Sequence, residues 1–158
     1  MPNKPILLYW DSCVFISAIQ KSDGRYPILE AIIEQAKAEN AVIVTSAFTI
    51  AEVVKESGDA ESKQSAMDAA KIRDFFENDY LAIRNVDRHI GEMAAEFVRL
   101  HNVKPPDAIH LATALNSKCA CLHTYDKKLF RLDGKIGWPA LSIKPPSHPD
   151  GHSDPMLF

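Results

Sequence analysis

Ile6-Leu7-Leu8-Tyr9-Trp10-Asp11-Ser12 sets five apolar residues in a row and then an acid and a hydroxyl. A run that short and that continuous reads as a strand buried on both faces, the kind found in a parallel sheet with helices on either side. Outward from it, similar β-rich runs predict strands at 41–44 (AVIV), 80–84 (YLAIR), 120–124 (ACLHT) and 140–143 (ALSI). Between them, helical periodicity predicts helices near 13–19, 27–39, 47–57, 62–77, 87–102 and 106–117, with a short one at 127–131. Strands alternating with helices point to an α/β class with a mostly parallel sheet of about five strands.

The chain has 158 residues, the length of one domain with a buried core. We expect a single domain over 1–144 and a flexible tail over 145–158, PPSHPDGHSDPMLF, which holds four of the ten prolines. His148 and His152 alternate with Asp150 and Asp154 there, but a solvated extension fits better than a metal site, since nothing fixes a coordination geometry. Apolar residues make up 46% and charged ones 25%, a soluble globular mixture. The longest apolar run, Ile6 to Trp10, falls far short of the roughly 18 residues that span a bilayer and of a signal-peptide core. A cytoplasmic, non-membrane protein is the expectation. Three cysteines, Cys13, Cys119 and Cys121, with no framework spacing fit reduced, structural thiols.

Net charge is −3, which at first argues against a nucleic-acid partner. The balance is uneven, however: residues 1–100 carry 11 basic and 16 acidic side chains, whereas 101–158 carry 7 and 5. The C-terminal third can present a positive face.

In an open parallel sheet, ligands gather at the carboxyl ends of the strands. Asp11-Ser12 follows the first strand and Thr124-Tyr125-Asp126 the fourth. Either acid alone could simply cap a helix or form a turn. Asp107 is more telling. On a helical wheel it falls among Leu111, Leu115 and Ala114, inside the apolar stripe, where an unpaired carboxylate is costly. The alternative is that Pro105-Pro106 start the helix and Asp107 answers its dipole. Glu52 lies at the border of another apolar face, beside Phe48. If Asp11, Glu52, Asp107 and Asp126 converge, their charges repel unless a cation joins them, and hard carboxylate oxygens select Mg²⁺ or Mn²⁺. Such a centre suits phosphodiester hydrolysis.

With these motifs in hand, the sequence resembles the PIN-domain nucleases, and among them the VapC-type toxins of toxin–antitoxin modules. The resemblance lies in YWDSCVFIS around Asp11, TSAFTIAEVV around Glu52, PPDAIHLATAL around Asp107 and LHTYDKKLF around Asp126. The four stand in the family's order, and the last is written Thr-x-Asp. The resemblance implies a three-layer α/β/α sandwich and Mg²⁺- or Mn²⁺-dependent RNA cleavage. It also implies a homodimer neutralised by a cognate antitoxin. By it, Asp11, Glu52, Asp107 and Asp126 are catalytic metal ligands, with Ser12 and Thr124 as supporting polar groups. His110 departs from the apolar residue often found three positions after the third acid; it could touch a phosphate, orient a ligand or be structural.

Other α/β classes fit less well. A receiver domain wants paired acids after strand one, a phosphatase of the haloacid dehalogenase type wants an acid at Cys13, and a nucleotide fold wants an early Gly-rich loop, whereas Gly24 is the first glycine. Two alternatives stay open: a PIN-like binding or assembly module without nuclease activity, and a solitary PIN nuclease with no antitoxin. Setting aside four acids as metal ligands leaves a balance of +1 for the rest of the chain. Lys104, Lys127, Lys128 and Arg131 flank the third and fourth acids, so the expected phosphate-binding face lies there.

Overall fold

Strand β1 (Ile6–Trp10) lies at the centre of a five-stranded sheet completed by β2 (Ala41–Ser46), β3 (Leu81–Arg84), β4 (Cys121–His123) and β5 (Ser142–Lys144). In this computed structural model, which describes residues 4–56 and 63–148, the strand order is β3-β2-β1-β4-β5. Every pairing is parallel, so the expected mostly parallel sheet is entirely so among the described residues. The register sets Leu8 opposite both Ile43 and Cys121.

Among the described residues six helices supply the crossovers: α1 (Ser12–Gln20), α2 (Tyr26–Lys37), α3 (Ala47–Glu56), α4 (Lys63–Phe76), α5 (Arg88–His101) and α6 (Pro105–Asn116). The short helix expected at 127–131 is a 3-10 helix, Lys127–Leu132. β2 runs two residues past its expected end, and β5 begins two residues later than expected. The stretch 57–62 and the tail from 149 onward, including His152, Asp150 and Asp154, lie outside the described residues.

Strand alternation separates two cores. Leu8, Trp10 and Ile43 point to one face, where they meet Val14, Phe15, Leu29, Ile32 and Val53. Tyr9 and Val44 point to the other, against Ile90, Ala108, Leu111 and Leu129. Since successive strand residues face opposite ways and both faces are apolar, each side needs a helical cover. The result is the three-layer α/β/α sandwich, with α1 to α4 on one side and α5, α6 and the 3-10 helix on the other. Among the described residues no helix is long and apolar enough to cross a membrane.

Candidate active site

The strand order contains a switch point: from β1 the chain steps outward to β2 and β3, then returns to build β4 and β5 on the other side. The segment after β1 enters one helical layer and that after β4 enters the other. They part and leave a crevice beyond the carboxyl ends of the two strands.

Asp11 and Asp126 stand at its two lips. Asp11 caps α1 by accepting from Val14 N–H at 3.4 Å, and Asp126 caps the 3-10 helix by accepting from Lys128 N–H at 3.0 Å. Both therefore fill the capping role that sequence alone allowed, while sitting at the crevice. Cys13 ties the lips together. Its thiol donates to Asp11 Oδ1 at 2.9 Å, lies 3.7 Å from Thr124 Oγ1 and accepts from Tyr125 N–H at 3.4 Å. The Thr124 hydroxyl accepts from Asp126 N–H at 3.0 Å, so Thr124 shapes the turn that presents Asp126. Ser12 is buried at the first position of α1.

Asp107 occupies the first turn of α6, after Pro105 and Pro106. Leu111 and Ala114 are buried as the wheel predicts, but Asp107 is only half-buried. One turn at the helix start reaches past the sheet edge, where the apolar stripe runs out into the crevice. Burial pushes the Asp107 carboxyl above its ordinary value, and the negative charges of Asp126, Asp11 and Glu52 push the same way against the pull of His110. All four predicted acids thus share one electrostatic neighbourhood. Burial also raises Asp11, opposed by His110, Cys13, Thr124 and the Val14 N–H. No three His, Cys, Asp or Glu side chains among the described residues are grouped as a ready-made metal site.

Glu52, on α3, meets a residue of the opposite layer. Its Oε1 lies 2.5 Å from His110 Nε2, and His110 Nδ1 lies 2.7 Å from the Tyr9 hydroxyl. Tyr9 is fully buried and His110 is 2% exposed, whereas the Glu52 side chain is 19% exposed. His110 is therefore enclosed between two side chains and does not face the open crevice.

A cleft of about 280 Å³ is lined by Asp107 and Asp126 together with Lys104, Lys128 and Arg131. Arg131 is partly committed, donating to the carbonyls of His101 and Asn102 at 2.6 and 3.4 Å, where it satisfies the open end of α5. Lys127 is exposed and does not line the cleft; Lys128 does. On the opposite rim the Arg25 guanidinium stacks over the Tyr125 ring at 3.8 Å.

The sequence matches the PIN domain family model over residues 8–135. The chain belongs to the PIN domain family. No curated protein matches it. Solved structures of the same fold include VapBC2 from Rickettsia felis bound to a promoter DNA fragment, at 20% identity and a TM-score of 0.62 over 87% of this chain and 97% of that one. A toxin-antitoxin complex from Klebsiella pneumoniae aligns at 22% identity and a TM-score of 0.57, covering 78% and 89%. VapC20 from Mycobacterium tuberculosis, a sarcin-ricin loop cleaving toxin, aligns at 16% identity and a TM-score of 0.60, covering 78% and 93%.

Within this PIN domain, sequence reasoning overlooked two contributors to the site: Tyr9 and Cys13. Tyr9 reads as an ordinary member of an apolar strand. Cys13 sits two residues after Asp11, but only the return of β4 beside β1 gives its thiol two lips to join. The other thiols, Cys119 and Cys121, are pushed up to about 12 and about 11 by burial. Cys121 Sγ lies 3.3 Å from the buried His123 ring.

Proposed function

We propose that this PIN domain is a metal-dependent endoribonuclease and the toxin of a toxin–antitoxin pair, with Asp11, Glu52, Asp107 and Asp126 as catalytic carboxylates that hold Mg²⁺ or Mn²⁺. The reading is supported by Asp11 and Asp126 standing just past the adjacent strands β1 and β4, with Asp107 and Asp126 lining one cleft, and by the upward push that Asp126, Asp11 and Glu52 exert on the Asp107 carboxyl. The donor set fits a hard divalent cation: it is all carboxylate, and its mutual repulsion is what such a cation relieves. When bound, the ion supplies Lewis acidity, lowering the pKa of a water and offsetting charge at the phosphate.

The chain's own groups do the rest. Asp11 and Asp126 are held in place by the backbone N–H groups that they cap and by Cys13 and Thr124. Lys104 and Lys128 line the cleft next to Asp107 and Asp126 and offer cations to the phosphates flanking the scissile bond. An RNA strand in this cleft would meet cations that neutralise its backbone beside the acids that take its reacting phosphate. Ser12 supports the turn that presents Asp11, and Lys127 adds positive charge at the outer rim.

The toxin assignment draws on the fold shared with the Klebsiella pneumoniae complex and the VapC20 toxin. It carries a cognate antitoxin, a homodimer and a cytoplasmic location as parts of the same proposal. Purified protein should cleave RNA in Mg²⁺ or Mn²⁺, and Asp11→Asn and Asp107→Asn should each lower the rate by about 10²-fold or more, as loss of a charge-stabilising group in an active site does. Equal cleavage by all three proteins would assign the activity to a contaminant and defeat the reading. Failure of the wild type to bind either metal would favour a PIN-fold assembly module instead. A short reading frame for a DNA-binding protein directly beside the gene distinguishes a toxin from a solitary nuclease.

A further inference from the structure

His110 is a strange residue to bury in a helix whose other buried positions are Ala108, Leu111, Ala112, Thr113 and Ala114. A buried imidazole is costly unless both ring nitrogens are satisfied. Both are. Tyr9 approaches Nδ1 at 2.7 Å and Glu52 approaches Nε2 at 2.5 Å. Tyr9, Thr45 and Thr49 are all fully buried. Thr45 donates to Trp10 O at 2.7 Å, and its Oγ1 lies 2.8 Å from Thr49 Oγ1.

The carboxylate of Glu52 can only accept, so His110 Nε2 carries the hydrogen. In the neutral imidazole Nδ1 is then the acceptor, and the Tyr9 hydroxyl donates to it. The path runs from Tyr9 on β1 to His110 on α6 and on to Glu52 on α3, and it ties both helical layers across the carboxyl edge of β1. With both ring nitrogens engaged, His110 is not available for a phosphate.

We propose that His110 is a positioning residue for Glu52, which holds one carboxylate oxygen by its Nε2–H, in the tautomer set by Tyr9, and so aims the side chain into the acidic crevice. This rests on the reading of Glu52 as a metal ligand. Outer hydrogen bonds of this kind hold a ligand in its binding orientation, and their loss typically costs about 10- to 100-fold in metal affinity. The Phe48 ring, with its centroid 6.1 Å from that of His110, encloses the contact from the side.

The test is Mn²⁺ binding to the full chain, measured by the loss of the free-ion electron paramagnetic resonance signal, so that no cleavage is needed. His110→Leu should weaken Mn²⁺ binding by about 10- to 100-fold. His110→Gln, whose amide nitrogen can replace Nε2, should recover most of the loss. His110→Asn, whose shorter amide can reach Tyr9 but not Glu52, should behave as His110→Leu and serves in its place if that variant does not fold. In a Glu52→Gln background the His110 change should add nothing further, because it acts through Glu52. An equal loss in that background would assign His110 a general structural role and overturn the proposal, as would wild-type affinity in both His110→Leu and His110→Asn. If Glu52→Gln and Asp11→Asn bind Mn²⁺ like the wild type, it is the reading of the acids as ligands that fails, and the proposal fails with it.

Discussion

Replacing Tyr9 by phenylalanine removes one oxygen from a fully buried ring and leaves the apolar packing of β1 in place. That oxygen donates to His110 Nδ1 across 2.7 Å, and His110 is itself 2% exposed, so water cannot replace it without opening the layer. An acceptor stranded in this way costs about 1–3 kcal/mol. For a chain of this size each kcal/mol moves the melting temperature by about 2–4 °C. The Tyr9→Phe variant should therefore melt about 2–12 °C below wild type, by differential scanning calorimetry at pH 7 with EDTA present to keep metal out of the comparison. Adding His110→Leu to Tyr9→Phe should cost less than the sum of the two changes, since donor and acceptor then leave together. A Tyr9→Phe protein that melts at or above the wild-type temperature would refute the buried bond, and strict additivity in the double variant would show the two side chains to be independent.

The raised carboxyls of Asp11 and Asp107 set a pH dependence. A carboxyl whose pKa is raised on folding contributes stability that is fully present below its unfolded value and is lost as pH rises through the folded one. Melting of the metal-free protein over pH 4–8 should show Asp107→Asn removing part of that loss and raising the neutral-pH melting temperature by on the order of a few degrees; a less stable variant would argue against a clustered site. Mn²⁺ at about 100 times its Kd should stabilise the wild type by about 2.7 kcal/mol, and Asp107→Asn much less. For the cleft, Lys104→Ala and Lys128→Ala in the Asp11→Asn background should each weaken single-stranded RNA binding and lower the slope of log affinity against log salt by about 0.7. Filter binding over a range of KCl concentrations reads this, and unchanged slopes would move the RNA elsewhere.

Much of the site could be read along the chain because its parts obey local rules. Asp11 and Asp126 sit just past β-rich runs, and a residue past a parallel strand lies at the ligand-binding edge whatever the rest of the fold does. Asp107 stood out because a helix period exposes any acid inside an apolar stripe. Its half-burial was not legible, since a wheel has no ends and cannot tell that the first turn of α6 overhangs the sheet. Glu52 looked like an ordinary boundary residue. Its partner is 58 positions away on the other side of the sheet, and no local pattern encodes a meeting between layers.

The class of fold was legible in the chain alone. Five short apolar runs separated by amphipathic stretches can bury their strands only beneath helices on both faces, and the order of the four acids is what suggests a carboxylate donor set. Tertiary structure alone decided how those acids are held. The switch point between β1 and β4 places Asp11, Cys13 and Thr124 side by side. The closing of α3 and α6 over the edge of β1 makes Tyr9, His110 and Glu52 a single chain of hydrogen bonds. Hydrogen bonds act over about 3 Å and depend on direction, so a partner distant in sequence becomes visible only once packing has fixed where each layer stands.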